Sequence, residues 1–187
     1  YTAPSMMPGD PAITITAISV EDPLMSGSST ILIMASPPPV EWAWMSGSIY
    51  QSAWAVYGTK GVPASSNVPG ARQGPASWAD ANGKLWLFGG QGLAGDSALE
   101  GFLNDLWRFD PATLQWTWVS GTSARNQNGS YGTRGMADPS NLPGARFQSA
   151  TWLDPSGNLW LFGGYGVLAS LSGWGWSACN DLWKYNP

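Results

Sequence analysis

The chain has 187 residues, of which 11% are charged and 13% aromatic, with 24 glycines and 15 prolines. Low charge with many aromatic residues excludes a disordered chain, and no apolar run approaches the roughly 18 residues of a membrane-spanning helix. The net charge of -4 provides no basic surface for nucleic acid or anionic lipid. Short apolar runs separated by glycine and proline predict an all-β protein with many turns.

The N-terminal 36 residues predict a β-hairpin. Residues 12–20 alternate β-branched and small side chains, residues 21–27 form a turn, and residues 29–34 form a second strand. This pattern resembles the last hairpin of a bacterial immunoglobulin-like domain, of which residues 1–36 would be a part. Residues 37–40 begin with three prolines and predict a stiff boundary before a second region, residues 41–187.

The second region is a tandem repeat. Residues 57–90 align without gaps on residues 131–164, with 20 of 34 positions identical and an offset of 74. The same offset carries the WAW of residues 42–44 onto the WTW of residues 116–118. NDLWRFDP at residues 104–111 returns as NDLWKYNP at residues 180–187. Such self-similarity indicates a repeat architecture; residues 46–120 are called the first repeat and residues 121–187 the second.

Each repeat predicts an antiparallel meander. In the first, the strands are residues 71–79, 84–88, 106–109 and 115–119, and Asp-containing turns join the first pair and the last pair. Leu85 and Leu87 would face one side of their strand, and Trp86 and Phe88 the other. A strand that is apolar on both faces must be covered on both, as in sheets stacked against copies of themselves.

These residues resemble the kelch repeats of galactose-oxidase-like β-propellers, in the long, Trp-rich form common in bacterial secreted proteins. The resemblance covers residues 41–187. It implies an incomplete set of about two four-stranded blades, further blades of the same chain, and a location outside the cell or on its surface. A short chain that closes by oligomerising is the alternative. The structural motif residues are Gly89, Gly90, Trp107, Trp116, Trp118, Gly163, Gly164 and Trp183.

The double glycines are expected where side chains would crowd or where φ must be positive. Each pair opens a long loop, residues 91–103 and 165–179, at the same end of the sheet as the 25-residue loops 46–70 and 120–144. Long loops on a rigid scaffold usually carry binding. We therefore expect any functional residues to lie in these loops, where the sequences of the two repeats differ.

Six residues near these loops are candidates for binding a ligand. Trp174 and Trp176 have no counterpart in the first repeat. Tyr57 and Tyr131 recur, so they would either contact a ligand or fasten the loops. The arginines of the repeated PGAR, Arg72 and Arg146, would either attract an anion at a channel mouth or pair with aspartate and backbone carbonyls.

The sequence contains few candidate catalytic residues. The chain has no histidine, so it lacks copper ligands of the galactose oxidase type and a histidine base for a nucleophile. Its single cysteine, Cys179, is expected to be a small, partly buried side chain. Asp96, Glu100 and Asp105 are possible glycosidase carboxylates, which must lie about 5 to 9 Å apart, but nothing in the sequence fixes their spacing.

The sequence therefore predicts no catalytic residue, metal or cofactor in this segment. It favours a recognition module that binds carbohydrate or a protein surface, without insertion into a membrane. The alternative is the scaffold part of a larger carbohydrate-active or oxidase-type enzyme whose catalytic residues lie outside this segment.

Overall fold

The computed structural model describes residues 12–18, 22, 24, 26–32, 41–95, 98–167 and 176–187. The chain forms two compact units, residues 1–44 and 45–187. The regular elements of the described residues are all β-strands, and their pairings are all antiparallel. The predicted all-β class is confirmed. Across the same residues, none of the sheets closes into a barrel, and no helix is long and apolar enough to cross a membrane.

The first unit contains the predicted hairpin. Strand β1 (Ala12–Ile18) pairs with β2 (Ser26–Leu32) in a register that runs from Ala12 opposite Leu32 to Ile18 opposite Ser26. In the connection, the backbone N–H of Leu24 donates to Oδ1 of Asp22 at 3.0 Å, a local bond typical of turns. The predicted boundary at residues 37–40 lies outside the described residues, and the immunoglobulin-like origin of the hairpin stays a prediction.

The first repeat folds into one sheet in which β5 pairs with β3, β4 and β6, and β6 pairs with β7. The second, third and fourth predicted strands are confirmed, and the second and third are longer than expected because their ladder continues beyond the double glycine. The predicted first strand, residues 71–79, is instead divided into two strands by Gly74, which has a positive φ, and Pro75. The strands are β3 (Arg72–Gln73), β4 (Ala76–Ala79), β5 (Leu85–Gly92), β6 (Gly101–Asp110) and β7 (Gln115–Ser120).

A β-bulge interrupts the central ladder at the double glycine. Phe88 lies opposite Leu106 and Gly90 lies opposite Leu103, so Gly89 faces two residues of β6. These two residues are Asn104 and Asp105, and a bulge of this kind re-aims the side chains of the longer strand. Positive φ values of 63° at Gly89 and 103° at Gly90 confirm why glycine stands at both positions.

The second repeat builds the same arrangement with three strand segments in each of two small sheets. β9 and β13 flank β10, and β8 and β12 flank β11. Its double glycine has φ values of 64° and 93°, and Cys179 is buried, as expected. The strands are β8 (Arg146–Phe147), β9 (Ala150–Leu153), β10 (Leu159–Phe162), β11 (Tyr165–Val167), β12 (Trp176–Ala178) and β13 (Leu182–Tyr185).

The two repeats pack face to face around a core. Trp86 and Phe88 of β5 are buried against Leu159 and Leu161 of β10, and the indole N–H of Trp78 donates to the carbonyl of Trp160 at 3.2 Å. Burial of such side chains supplies roughly 1.5–3 kcal/mol each, so this interface stabilises both sheets.

The opposite face of the first sheet carries a second core. Leu87 packs there with Tyr57 and Trp107, which confirms that β5 is covered on both faces. Leu85, at the beginning of the strand, stays exposed.

The long loop of the first repeat covers both this face and the outer edge of β7. The backbone N–H of Gly61 donates to the carbonyl of Trp118 at 2.8 Å, and that of Ala64 donates to the carbonyl of Trp116 at 3.3 Å. Nδ2 of Asn67 also donates to the carbonyl of Trp116, at 3.0 Å. The loop thereby occupies polar backbone groups that an edge strand would otherwise present to other chains.

Candidate functional site

The arginine of the first PGAR motif is held by a buried ion pair. Arg72 donates from Nη1 to Oδ1 of Asp105 at 2.7 Å and from Nη2 to Oδ2 at 2.9 Å. Its remaining donors reach the carbonyls of Gly70, at 3.1 Å, and Gly89, at 2.9 Å. The side chains of the pair are only 4% and 0% exposed. The bulge opposite Gly89 is what aims Asp105 at Arg72.

The Asp105 carboxylate also accepts hydrogen bonds from two aromatic side chains. The hydroxyl of Tyr57 donates to Oδ2 of Asp105 at 2.8 Å, and the indole N–H of Trp107 donates to it at 2.7 Å. The rings of Tyr57 and Trp107 also contact each other, with centroids 5.1 Å apart. We call this set the first network; its members are Tyr57, Arg72, Asp105 and Trp107.

The second repeat reproduces the arrangement bond for bond. Arg146 donates to Oδ1 and Oδ2 of Asp181 at 2.6 and 2.8 Å. The Tyr131 hydroxyl and the Trp183 indole each donate to Oδ2 of Asp181 at 2.7 Å. Arg146 also donates to the carbonyls of Gly144 and Gly163, as Arg72 does to those of Gly70 and Gly89. This second network consists of Tyr131, Arg146, Asp181 and Trp183.

The pKa values of the tyrosines and of Asp181 suit a structural role for the two networks rather than proton transfer. Burial, and then the neighbouring Asp105, raise the pKa of Tyr57 far above its usual value. Burial and Asp181 likewise raise the pKa of Tyr131 to about 12. Burial alone would raise the pKa of Asp181, but hydrogen bonds from Arg146, Tyr131 and Trp183 outweigh it and lower that pKa to about 2. At neutral pH the tyrosines are therefore neutral, and Asp181 is charged.

Four of the six candidate ligand-binding residues belong to these networks. Tyr57, Arg72 and Arg146 are almost fully buried, and Tyr131 remains 37% exposed. Their hydrogen bonds fit the second interpretation given for each from the sequence, in which the tyrosines fasten the loops and the arginines pair with aspartate and backbone carbonyls. Any ligand-binding role for them stays a prediction.

A cluster of four aromatic rings lies at the end of the sheets from which the long loops emerge. Phe102 of β6 stacks on Phe147 of β8, with centroids 5.2 Å apart and planes 13° apart. Tyr165 and Trp176 approach Phe102 edge to face at 6.0 and 5.1 Å. Phe102 is buried, whereas Tyr165 is 42% and Trp176 54% exposed. We call this set the aromatic cluster; it presents two open aromatic side chains on a buried base.

A polar segment of the loop after β7 borders the cluster. The backbone N–H of Phe102 donates to Oδ1 of Asn126 at 2.9 Å, and the backbone N–H of Asn126 donates to the carbonyl of Phe102 at 2.7 Å. The Arg125 side chain lies against Gly101 and reaches the carbonyl of Glu100 at 3.5 Å. Open aromatic rings beside a few polar groups are the composition of a small-molecule or surface-binding site.

The sequence identified one member of this cluster as a candidate binding residue and did not single out the other three. Trp176 was a candidate because it lacks a counterpart, whereas its companion Trp174 lies outside the described residues. Phe102, Phe147 and Tyr165 could have been found by the same criterion. The ladders place Ala178, Gln73 and Gln91 at their matching positions in the other repeat, so each aromatic ring stands where the other repeat has a different kind of side chain.

The structure describes two of the three candidate glycosidase carboxylates, and they lie in different environments. Asp105 belongs to the first network, Glu100 is exposed beside the aromatic cluster, and Asp96 lies outside the described residues. No group of three or more cysteine or carboxylate side chains within the described ranges could hold a metal ion.

A shallow cleft lies within the long loop of the first repeat. It has a volume of about 490 Å³ and is lined by small and polar groups, among them Ser46, Ser48, Tyr50, Ser65 and Asn67. Tyr50 is 77% exposed. The cleft lacks a buried aromatic base, so the aromatic cluster is the stronger candidate site.

No known protein family model matches the sequence, and no curated protein matches it.

Proposed function

We propose that the chain is a non-catalytic recognition module of a secreted or cell-surface bacterial protein. In this proposal the two facing sheets are blades of a kelch-type β-propeller, and the ligand binds at the end from which the long loops emerge. The repeated double glycines, the antiparallel meander and the face-to-face packing support the blade assignment. One observation carries the binding role: Tyr165 and Trp176 remain open to solvent above a buried aromatic base.

The ligand that this site fits best is a carbohydrate. The C–H faces of a sugar ring stack on the flat faces of tryptophan and tyrosine, which bury large area at little entropic cost. Arg125 and Asn126 lie at the border, where their polar groups can meet sugar hydroxyls. A protein surface is the other ligand class predicted from the sequence, and it would use the same rings as an interface anchor.

The test is to screen the chain on a glycan array and to measure the best oligosaccharide by calorimetry with wild-type protein and Trp176→Ala. We expect Trp176→Ala to weaken binding about tenfold or more, which corresponds to about 1.4 kcal/mol. The matched control is Trp152→Ala. Trp152 is also exposed, at 44%, but it lies on β9 and stacks on Trp160, so binding should not change.

Equal weakening by both variants would show that exposed tryptophan, rather than the aromatic cluster, determines affinity. An array without any binding glycan would overturn the carbohydrate assignment. Binding to a surface protein that is lost in Trp176→Ala would then support the protein-binding form of the proposal.

A further inference from the structure

The sequence contains two Asn-Gly pairs, Asn82–Gly83 and Asn128–Gly129. In such a pair the backbone nitrogen of the glycine can attack the side-chain amide carbon of the asparagine, because glycine has no side chain to hinder the approach. The attack requires an accessible asparagine and a glycine N–H that no other group holds. Both asparagines are exposed, so the two pairs differ only in how the glycine N–H is bonded.

The glycine N–H of the first pair is held in a turn. Asn82–Gly83 lies between β4 and β5, where the backbone N–H of Gly83 donates to the carbonyl of Asp80 at 3.0 Å. The backbone N–H of Asn82 donates to Oδ1 of the same aspartate at 2.9 Å. Attack by the Gly83 nitrogen would therefore have to break a hydrogen bond of this turn.

The glycine N–H of the second pair is not held in this way. Asn128–Gly129 lies in the long loop that follows β7. Within the part of the chain that the structure describes, neither the side chain of Asn128 nor the backbone N–H of Gly129 forms a hydrogen bond. The Gly129 nitrogen can therefore approach the side-chain carbon of Asn128 without the loss of a bond that the fold provides.

The main chain on both sides of this pair is fixed by backbone hydrogen bonds. On one side, the N–H of Ala145 donates to the carbonyl of Gln127 at 2.9 Å. On the other side, Ser130 and Leu142 exchange two bonds, at 2.8 and 2.9 Å. A change in the length of the main chain between these flanking contacts would therefore disturb the attachment of the loop.

The first repeat has the same backbone arrangement around Trp54 and Ala55, which stand at the matching positions. Trp54 is 51% exposed, although the second repeat packs against the first. The N–H of Ala55 likewise has no acceptor among the described residues. The exposed position and the free N–H are therefore properties of the loop. The corresponding flanking contacts join Ala53 to Ala71 and Val56 to Val68.

We propose that Asn128 is a site of spontaneous deamidation in the folded protein and that Asn82 is protected by its turn. Hydroxide removes the proton from the Gly129 nitrogen, which then bonds to the side-chain carbon of Asn128. The amide nitrogen leaves as ammonia with a proton from water, and a succinimide ring remains. Water opens the ring at either carbonyl carbon, which produces aspartate or isoaspartate. The proposal is independent of ligand binding at the aromatic cluster.

Isoaspartate would alter the loop more than aspartate does. Its main chain runs through the side-chain carbon and is longer by a methylene group between Gln127 and Ser130. We therefore expect at least one of the flanking contacts to be lost in the isoaspartate form, whereas the aspartate form keeps both.

Peptide mapping by mass spectrometry after prolonged incubation of the whole chain in mildly alkaline buffer tests the proposal. We expect the amide of Asn128 to become an acid about tenfold faster than that of Asn82, since a hydrogen bond holds the N–H of Gly83. In guanidinium chloride, where the turn is absent, the two asparagines should convert at similar rates. Isoaspartyl methyltransferase should label the peptide that contains residue 128 in the incubated folded protein.

Two variants are the controls. Asn128→Gln removes the reactive side chain and should leave only the slow conversion at Asn82. Asn128→Asp carries the charge of the product without lengthening the main chain, so it should unfold thermally as the fresh protein does, whereas the purified isoaspartate form should unfold at a lower temperature. Equal rates at Asn82 and Asn128 in the folded protein, or conversion of Asn128 in guanidinium chloride alone, would refute the proposal.

Discussion

The two repeats agree in their buried polar networks and differ at the end where the long loops emerge. Arg72 with Asp105 and Arg146 with Asp181 make the same bidentate pair. At the end where the long loops emerge, the first repeat has a polar pair, Gln73 and Gln91, where the second repeat has Phe147 and Tyr165. The agreement indicates that the network is part of the scaffold, and the difference coincides with the aromatic cluster, the proposed binding site.

The networks also differ in how deeply they are buried. Asp105 is fully buried, whereas Asp181 is 15% exposed; Tyr57 is 8% and Tyr131 37% exposed. The first network lies beneath β7 and the loop that covers it, whereas the second network lies beside β13, the last strand of its sheet among the described residues. The same bonds should therefore contribute more to stability in the first repeat, because screening by water weakens ionic interactions.

The largest expected effect comes from Asp105→Asn. It leaves Arg72 buried without its charged partner, which typically costs about 3–5 kcal/mol. Asp181→Asn removes the same bonds from Arg146, whose side chain is also buried. Because the side chains of residue 181 and Tyr131 are reached by water, the loss should be about 1–2 kcal/mol smaller. Urea unfolding followed by tryptophan fluorescence measures both. Equal losses in the two variants would contradict the argument that burial determines the contribution.

The next largest effect is expected for alanine substitutions at glycines with positive φ, which separate the cost of backbone strain from the cost of steric crowding. Gly89, Gly163 and Gly157 all have positive φ, so alanine costs about 1–2 kcal/mol at each for its backbone conformation. A methyl group at Gly89 would also lie 2.6 Å from the carbonyl oxygen of Arg146. At Gly163 the nearest atom is 3.0 Å away, and at Gly157 the space is open.

We therefore expect the loss of stability to decrease from Gly89→Ala through Gly163→Ala to Gly157→Ala, as measured by thermal unfolding. Gly157→Ala is the control for the backbone term alone. If all three alanine variants lose the same stability, the close approach of the two repeats at Gly89 is unimportant.

A smaller effect should appear in the acid stability of the second network. Asp181 has a folded pKa of about 2, below the value near 3.9 of an unfolded aspartate. Its stabilisation is fully present above pH 4 and is lost as the pH falls towards 2. We expect the difference in unfolding free energy between wild type and Asp181→Asn to shrink by roughly 1–2 kcal/mol across that interval, since partial exposure reduces the ideal value. A difference that is independent of pH would contradict the assignment.

The smallest effect is expected for Asp110→Asn. Its ion pair with Lys84 is as short as the buried pairs, at 2.6 Å, but the two side chains are 27% and 30% exposed. Exposed pairs contribute little, so the urea midpoint should not change measurably. A clear decrease would show that distance, rather than burial, ranks the ion pairs of this protein.

The repeat made much of the fold predictable. The offset of 74 and the alternation of Trp86 and Leu87 indicated the strands, the two-sided burial of β5 and the positive φ of the double glycines. The Arg72–Asp105 pair was one of two interpretations, because the sequence does not reveal that Gly89 faces two residues of β6. That bulge is a shift of register between the paired strands β5 and β6, and it decides where the Asp105 carboxylate points.

The aromatic cluster was harder to predict for a different reason. Trp176 was conspicuous in its loop, but Phe102 looked like an ordinary strand residue. Its significance depends on Phe147, which reaches it from the other repeat. A contact between two sheets leaves no periodic signal in either strand, so only the mismatch between the repeats marked these positions.

The Phe102–Phe147 stack joins residues from different repeats, and this has a consequence for engineering the protein. The base of the aromatic cluster is shared between neighbouring repeats, so the smallest unit that carries the whole cluster is a junction between two repeats. One repeat moved alone into a new array would carry its polar network intact. It would bring only half of the aromatic floor, and its new neighbour would have to supply the other half.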